Sequence, residues 1–321
     1  MPFDAFPFPL TRLNPWFPGQ FGVAGTSNKV GLRMHCTGAV YYVDPNYPGV
    51  TDQREGTDPE YPLATIQAAV DKCVRGDVVA VMENDAWQYA SGLVYPLPIQ
   101  ESVVVNSPGI SILGYARSSG LGVVWQPGAA LETGLTVDAI DVRVAGFAFD
   151  APLGGNGISA VWNGTTVWGE NLIVEDCFFS NRIDIAIQLE FAWNCWIQRC
   201  VFQQCDSHGI YVDPAGSGAA YLHILENQFH DCAVAMALRG VDNSEILHNR
   251  IFNSKAQGGG AATNEGIDTT AGLNNLVADN WFSCLLPVPA NGDWNDLNTG
   301  AASDAWIGNH CLDGMAVTTP T

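Results

Sequence analysis

From about residue 100 onward, one short pattern recurs along the chain, and this recurrence narrows the possible folds more than any other feature. Each copy joins an apolar strand-like stretch to a small residue or Asn, followed two positions on by a bulky apolar side chain. The copies are Ile110–Ala116, Val142–Ala148, Ile173–Phe179, Trp196–Phe202, His223–Phe229, Glu245–Ile251, Leu276–Phe282 and Ala305–Cys311. Aligned on the small residue they form a column of Gly114, Gly146, Cys177, Cys200, Asn227, Asn249, Asn280 and Asn309. Successive members lie 32, 31, 23, 27, 22, 31 and 29 residues apart. A second column holds Ala116, Ala148, Phe179, Phe202, Phe229, Ile251, Phe282 and Cys311, and Val174, Ile197, Ile224, Ile246, Val277 and Trp306 form a third. One strand-bearing unit at such a period is the mark of a solenoid.

The chemistry of the columns favours stacked strands over stacked helices. Gly and Asn tolerate the left-handed backbone that a corner between two strands requires. Asn side chains stacked about 4.8 Å apart can hydrogen-bond to their copies, and stacked Phe fills the interior. Further strand-like runs follow at Gly157–Trp162, Ile183–Leu189, Gly209–Val212 and Val234–Leu238. Gly-rich stretches such as Pro214–Ala220 and Ala256–Gly266 vary the coil length without disturbing the stack. The expected fold is all-β: a right-handed parallel β-helix over 100–314, a tail over 315–321, a capping unit over 39–99 and an extended arm over 1–38. Within the capping unit, Ile66, Ala69, Val70 and Cys73 share one helical stripe. A short helix over 65–73, capped by Thr65, is predicted to cover the open end of the core.

Acids outnumber bases 33 to 13, for a net charge of -20, and no Lys or Arg follows Lys255. Such a surface repels phosphate backbones and anionic lipids, so nucleic acid and membrane are not expected as partners. No export signal is legible at the start, where Pro, Phe and Trp alternate without period, and synthesis and assembly in a cytoplasm are expected. The nine cysteines lack the spacing of a disulfide scaffold and are expected to be small buried side chains.

With its YYVDP…PLATIQAAVDKC…GDVVAVM opening and its I-x-x-[NC]-x-F coils, the chain resembles the pectin-lyase-like right-handed β-helix superfamily over roughly residues 40–312. That resemblance implies one of several occupations: polysaccharide lyase, glycoside hydrolase, or spike, fibre or decoration protein of a tailed phage. It also implies a homo-oligomer, with a trimer as one form.

An enzyme resembling this superfamily displays its acids and bases on one lateral face of the stack. The densest cluster is CDSHGIYVD, with Asp206, His208 and Asp213, which Asp184 on the preceding coil and Asp231 on the following one could approach. Asp184, Asp206 and His208 are the candidate catalytic residues, since two carboxylates about 5–10 Å apart can cleave a glycoside. An ordinary solvated corner would use the same residue types. His208-Gly209 is only a fragment of the Gly-His-Gly element of polygalacturonase-like hydrolases, and their paired-Asp element is absent. A calcium-assisted lyase would need a basic residue beside an acidic metal site, but Arg199 and Arg250 fall beside the corner column and read as surface. Cys200, Cys205, His208, His230 and Cys232 match no zinc spacing. No metal and no cofactor is expected. Trp162, Trp168, Trp193 and Trp294 lie in or beside variable loops and could stack on sugar rings, whereas Trp281 and Trp306 sit within strands and are expected to pack.

The arm turns these readings toward an assembly role. Phe3, Phe6, Phe8, Trp16 and Phe17 could each bury about 150–250 Å² in a groove of another subunit. The expectation is a non-enzymatic structural protein of a tailed-phage particle, a decoration or spike component that docks on capsid or tail proteins and possesses loops able to meet host glycans. The alternative is a secreted polysaccharide-degrading enzyme.

Overall fold

A computed structural model describes residues 38–83, 87–90, 93–115, 123–151, 154–161, 169–180, 182–212, 218–252, 265–269, 272–283, 294–295 and 304–311. The arm, with Phe3, Phe6, Phe8, Trp16 and Phe17, lies outside them. Among the described residues three parallel sheets run the length of the molecule, and the chain visits them in turn. One coil shows the plan: Ile173–Glu175 in the first sheet, Phe178–Ser180 in the second and Ile185–Leu189 in the third. The next strand, Trp196–Gln198, then pairs with Ile173–Glu175 in register, one coil on. Three faces therefore enclose one core, a parallel β-helix.

Three corners separate the sheets, and each uses left-handed backbone. Between the first and second sheets the residues are Asp176, Arg199, Glu226, His248 and Asp279, at φ between 52° and 58°, with Gly146 at 79° and Gly308 at 65°. Between the third and first sheets Asp141, Asn171, Asn194, Tyr221, Asn243 and Asn274 do the same, and between the second and third Arg182, Gln204 and Asp231. This shifts one expected column. Gly114 and Gly146 do not align with Cys177: pairing of Ala145 with both Leu113 and Glu175 sets them level with Asp176. Likewise Phe149, not Ala148, stacks on Phe179. The Asn residues are therefore not the left-handed ones, since each stands one position past the corner.

The Asn column forms the expected ladder, buried at the wall of the core. Asn249 Nδ2 donates to Asn280 Oδ1 at 3.0 Å and to Ile224 O at 2.9 Å. Its own Oδ1 accepts from Asn227 N and Nδ2, both at 3.0 Å. The same pattern links Asn280 to Asn309, and it begins where Cys200 N donates to Asn227 Oδ1 at 2.9 Å. Every polar atom of these carboxamides is thus partnered in the interior, where an unmade bond costs about 1–3 kcal/mol.

Phe149, Phe179, Phe202 and Phe229 stack with centroids 5.1, 5.0 and 4.5 Å apart and planes within 8° of parallel. Opposite them the third sheet needs a missing side chain: a Cβ on Gly209 would lie 2.8 Å from the Phe229 ring and 2.6 Å from Ala235 O. Cys73, Cys177, Cys195, Cys200, Cys205 and Cys232 are free thiols and buried. Burial drives the Cys73 and Cys195 thiols up to about 12.

The helix forms over Ile66–Lys72, with Thr65 as its N-cap accepting from Ala68 N at 3.2 Å. Ile66, Ala69 and Val70 face the core, and the Glu101 carboxylate accepts from Ile66 N and Gln67 N at 2.8 and 2.7 Å. It packs on the strands Val40–Val43, Val78–Met82 and Val103–Val105 at the start of the stack.

Candidate active site on the third sheet

The third sheet acquires its chemistry from a local irregularity in one coil. Asp184 N bonds to Gly155 O, Asp206 N to Ile183 O, and Ala233 N to Cys205 O. The last two bonds set Asp184, Asp206 and Ala233 level on three successive coils. One pair further along, Ile185 pairs with His208 and His208 with Val234. Ile185 directly follows Asp184 and Val234 directly follows Ala233, but Ser207 intervenes between Asp206 and His208. Ser207 is therefore an extra residue with no counterpart on either neighbour. Its N–H and that of His208 both converge on Asp184 O at 3.0 Å. This is a β-bulge, a device that re-aims side chains at a sheet edge or beside an active site.

The bulge presents two aligned carboxyls with an imidazole beside them. Asp206 forms an ion pair with Arg182, Nε to Oδ2 at 3.3 Å. The Asp184 carboxyl is held above the usual carboxylate range, first by desolvation among its neighbours and then by the negative charge of Asp206. His208 Nδ1 lies 2.6 Å from Ser207 Oγ, and its ring centroid is 4.8 Å from that of Tyr211. Its pKa is lowered to about 4 by burial first and by the Arg239 charge second, with Asp268 opposing. Arg239, one coil further on, and the buried Asp268, two coils on, pair at 2.7 Å. A neutral imidazole at pH 7 thus stands one level further along the sheet than the acid pair, and the charges that act on it are those of Arg239 and Asp268.

Of the sequence candidates, the structure brings Asp184, Asp206 and His208 together. Asp231 stands instead on the adjoining corner, stacked on Gln204, where it turns the chain. Asp213, Trp162 and Trp168 lie outside the described residues, and Trp294 is described only as part of a strand paired with the third sheet. Trp193 is exposed at the corner between the third and first sheets; its indole N–H donates to Gly218 O and its ring centroid lies 6.2 Å from that of Tyr221. Trp306 packs in the core as expected. Trp281 does not pack: it is 41% exposed on the outer face of the second sheet, because its neighbour Phe282 takes the inward position.

The arginines divide as well. Arg250 is exposed, but Arg199 is half-buried and joins a network around the fully buried Glu175. Glu175 Oε1 accepts from Arg143 Nε at 2.7 Å, while Oε2 accepts from Arg199 Nη2 at 2.6 Å and Gln198 Nε2 at 2.8 Å. Burial alone would raise the Glu175 pKa, but the two guanidinium groups and these hydrogen bonds outweigh it and hold the carboxyl below its ordinary value. Cys200, Cys205 and Cys232 face the interior, while His208 and His230 lie in different sheets, so these five are not gathered around one point.

Residues 154–282 match the family model described as "Right handed beta helix region". The chain is a right-handed parallel β-helix. Among solved structures it is similar to an alginate lyase from Paenibacillus sp. str. FPU-7, at 13% identity over 77% of this chain and 92% of that one, with a TM-score of 0.43. It is also similar to a rhamnogalacturonan lyase, at 13% identity over 88% of this chain and 65% of that one, with a TM-score of 0.38. A GH136 lacto-N-biosidase from Eubacterium ramulus matches at 12% identity over 89% and 69%, with a TM-score of 0.35. No curated protein matches the sequence.

Proposed function

We propose that this β-helix is a glycan-cleaving enzyme of the glycoside hydrolase type, acting through Asp184 and Asp206. The observation that carries the proposal is the pair of level carboxyls, Asp184 and Asp206, exposed on neighbouring coils of the third sheet and coupled to each other, with the Ser207 bulge and His208 directly after them. Level positions on neighbouring strands are about 4.8 Å apart. That spacing suits a retaining mechanism, which needs carboxyls about 5–5.5 Å apart, better than an inverting one, which leaves room for a water. Asp206, paired with Arg182, attacks the anomeric carbon, and the leaving oxygen takes the proton held by Asp184. Water then donates a proton back to Asp184 as it displaces the sugar from Asp206. Neutral His208 is placed to hydrogen-bond a sugar hydroxyl.

The test is hydrolysis of a panel of neutral and acidic polysaccharides, followed by NMR of the first-formed anomer. Cleavage with retention that falls about 10²–10⁴-fold in both Asp184→Asn and Asp206→Asn supports the proposal. Cleavage that survives both substitutions removes the site, and absence of cleavage across the panel returns the chain to the virion-component reading. That reading rests on residues 1–38 and their docking to capsid or tail proteins. A product bearing an ultraviolet-absorbing double bond would instead show a lyase, with His208 as the base.

A further inference from the structure

The second sheet carries another surface that the acid pair does not explain. Along four successive coils its outward positions hold Gln228 and His230, then Arg250 and Phe252, then Trp281, then His310. Inward positions on the same strands are taken by Phe229, Ile251 and Phe282. In a chain of 33 acids and 13 bases, no Asp or Glu occupies an outward position on these strands. The rings are arranged along the axis: His230 stacks on Phe252 at 4.9 Å and 21°, and the Trp281 and His310 centroids are 4.7 Å apart. Gln228, Arg250, Trp281 and His310 are exposed. Arg250 forms no ion pair among the described residues, although Glu226 and Asp279 stand on the adjoining corner.

We infer that this stripe binds an anionic glycan, lying along the helix axis with a sugar face on Trp281 and an acidic substituent on Arg250. Rungs repeat every ~4.8 Å, about the length of one pyranose residue, so consecutive sugars meet consecutive coils. An aromatic plane supplies the apolar sugar face with a partner, and planar donors on either side suit carboxylate or sulfate oxygens. A guanidinium without an ion pair among the described residues is the place on a polyanion where an anionic chain loses least to repulsion. The site lies on a different sheet from Asp184 and Asp206 and stands whether or not that pair cleaves.

The experiment is calorimetric titration of the full chain with an oligogalacturonate hexamer and with its fully methyl-esterified, uncharged counterpart. The inference expects saturable binding of the acidic form, tighter than the ester and weakening with salt. It further expects a loss of roughly tenfold in affinity in each of Trp281→Ala and Arg250→Gln, and none in Asp184→Asn. Both stripe residues are exposed, and far-ultraviolet circular dichroism checks that the variants are folded. Quenching of tryptophan fluorescence on binding, lost in Trp281→Phe, gives a second readout. Equal binding of acid and ester, affinity unchanged in both stripe variants, or no binding of the acidic hexamer would each overturn it.

Discussion

At the scale of single residues the molecule uses charge in two opposite ways. Asp184 is a carboxyl made harder to ionise, and Glu175 is one made easier. Because the folded pKa of Asp184 is raised, the folded state holds its proton more tightly, and stability falls as pH rises from the ordinary carboxylate value through the raised one. Urea titrations across that window should show Asp184→Asn losing this fall, with the variant at least as stable as the parent at neutral pH. The proposed catalysis needs the proton on Asp184, so kcat should decline on the alkaline side of the same raised value. Glu175 has the reverse sign: its contribution is present above the unfolded pKa and is lost as pH falls through the depressed folded one. Replacing it by Gln leaves Arg143 and Arg199 around a neutral group, and Arg143 is buried. Chemical denaturation should show a loss of about 3–5 kcal/mol for Glu175→Gln.

Among the elements, the coil is the unit, and its parts differ in how far the sequence exposed them. Deleting one Asn carboxamide breaks bonds to two neighbouring coils at once. Asn249→Ala should cost about 2–4 kcal/mol in thermal or urea unfolding, and Phe202→Ala, from the middle of the aromatic stack, about 3–5 kcal/mol. Both columns were legible because identical chemistry at one place per coil leaves a repeat in the residues. The offset at Gly114 and Gly146 arose because Gly answers to the corner and Asn to the ladder one position later, and the two roles look alike in an alignment without pairing partners. Trp281 was legible in principle, since its alternation with inward Phe282 already turns it outward. The Ser207 bulge was not. Loops of changing length hide a single extra residue, and only the pairing of Asp184 with Asp206 and of Ile185 with His208 reveals it. Removing Ser207 should leave the circular dichroism of the β-helix intact while weakening cleavage, because His208 would follow Asp206 directly and turn to the opposite face of the regular pleat.

For the whole molecule, charge and topology set the behaviour. A net charge of -20 on one chain opposes compaction through self-repulsion, and that repulsion is screened by salt. The melting temperature measured by calorimetry should therefore rise from low ionic strength to about 0.15 M, where the Debye length is roughly 8 Å. A fall over the same range would mean that ion pairs such as Arg199 with Asp176 outweigh the collective term.

The Asn ladder also has a direction. Cys200 N waits for the carboxamide of Asn227, Asn227 N for that of Asn249, Asn249 N for that of Asn280, and Asn280 N for that of Asn309. Each coil is thus completed only by the one that leaves the ribosome after it. During synthesis the ordered front must trail the newest coil by one full turn, and the rod grows as a zipper whose teeth close from behind.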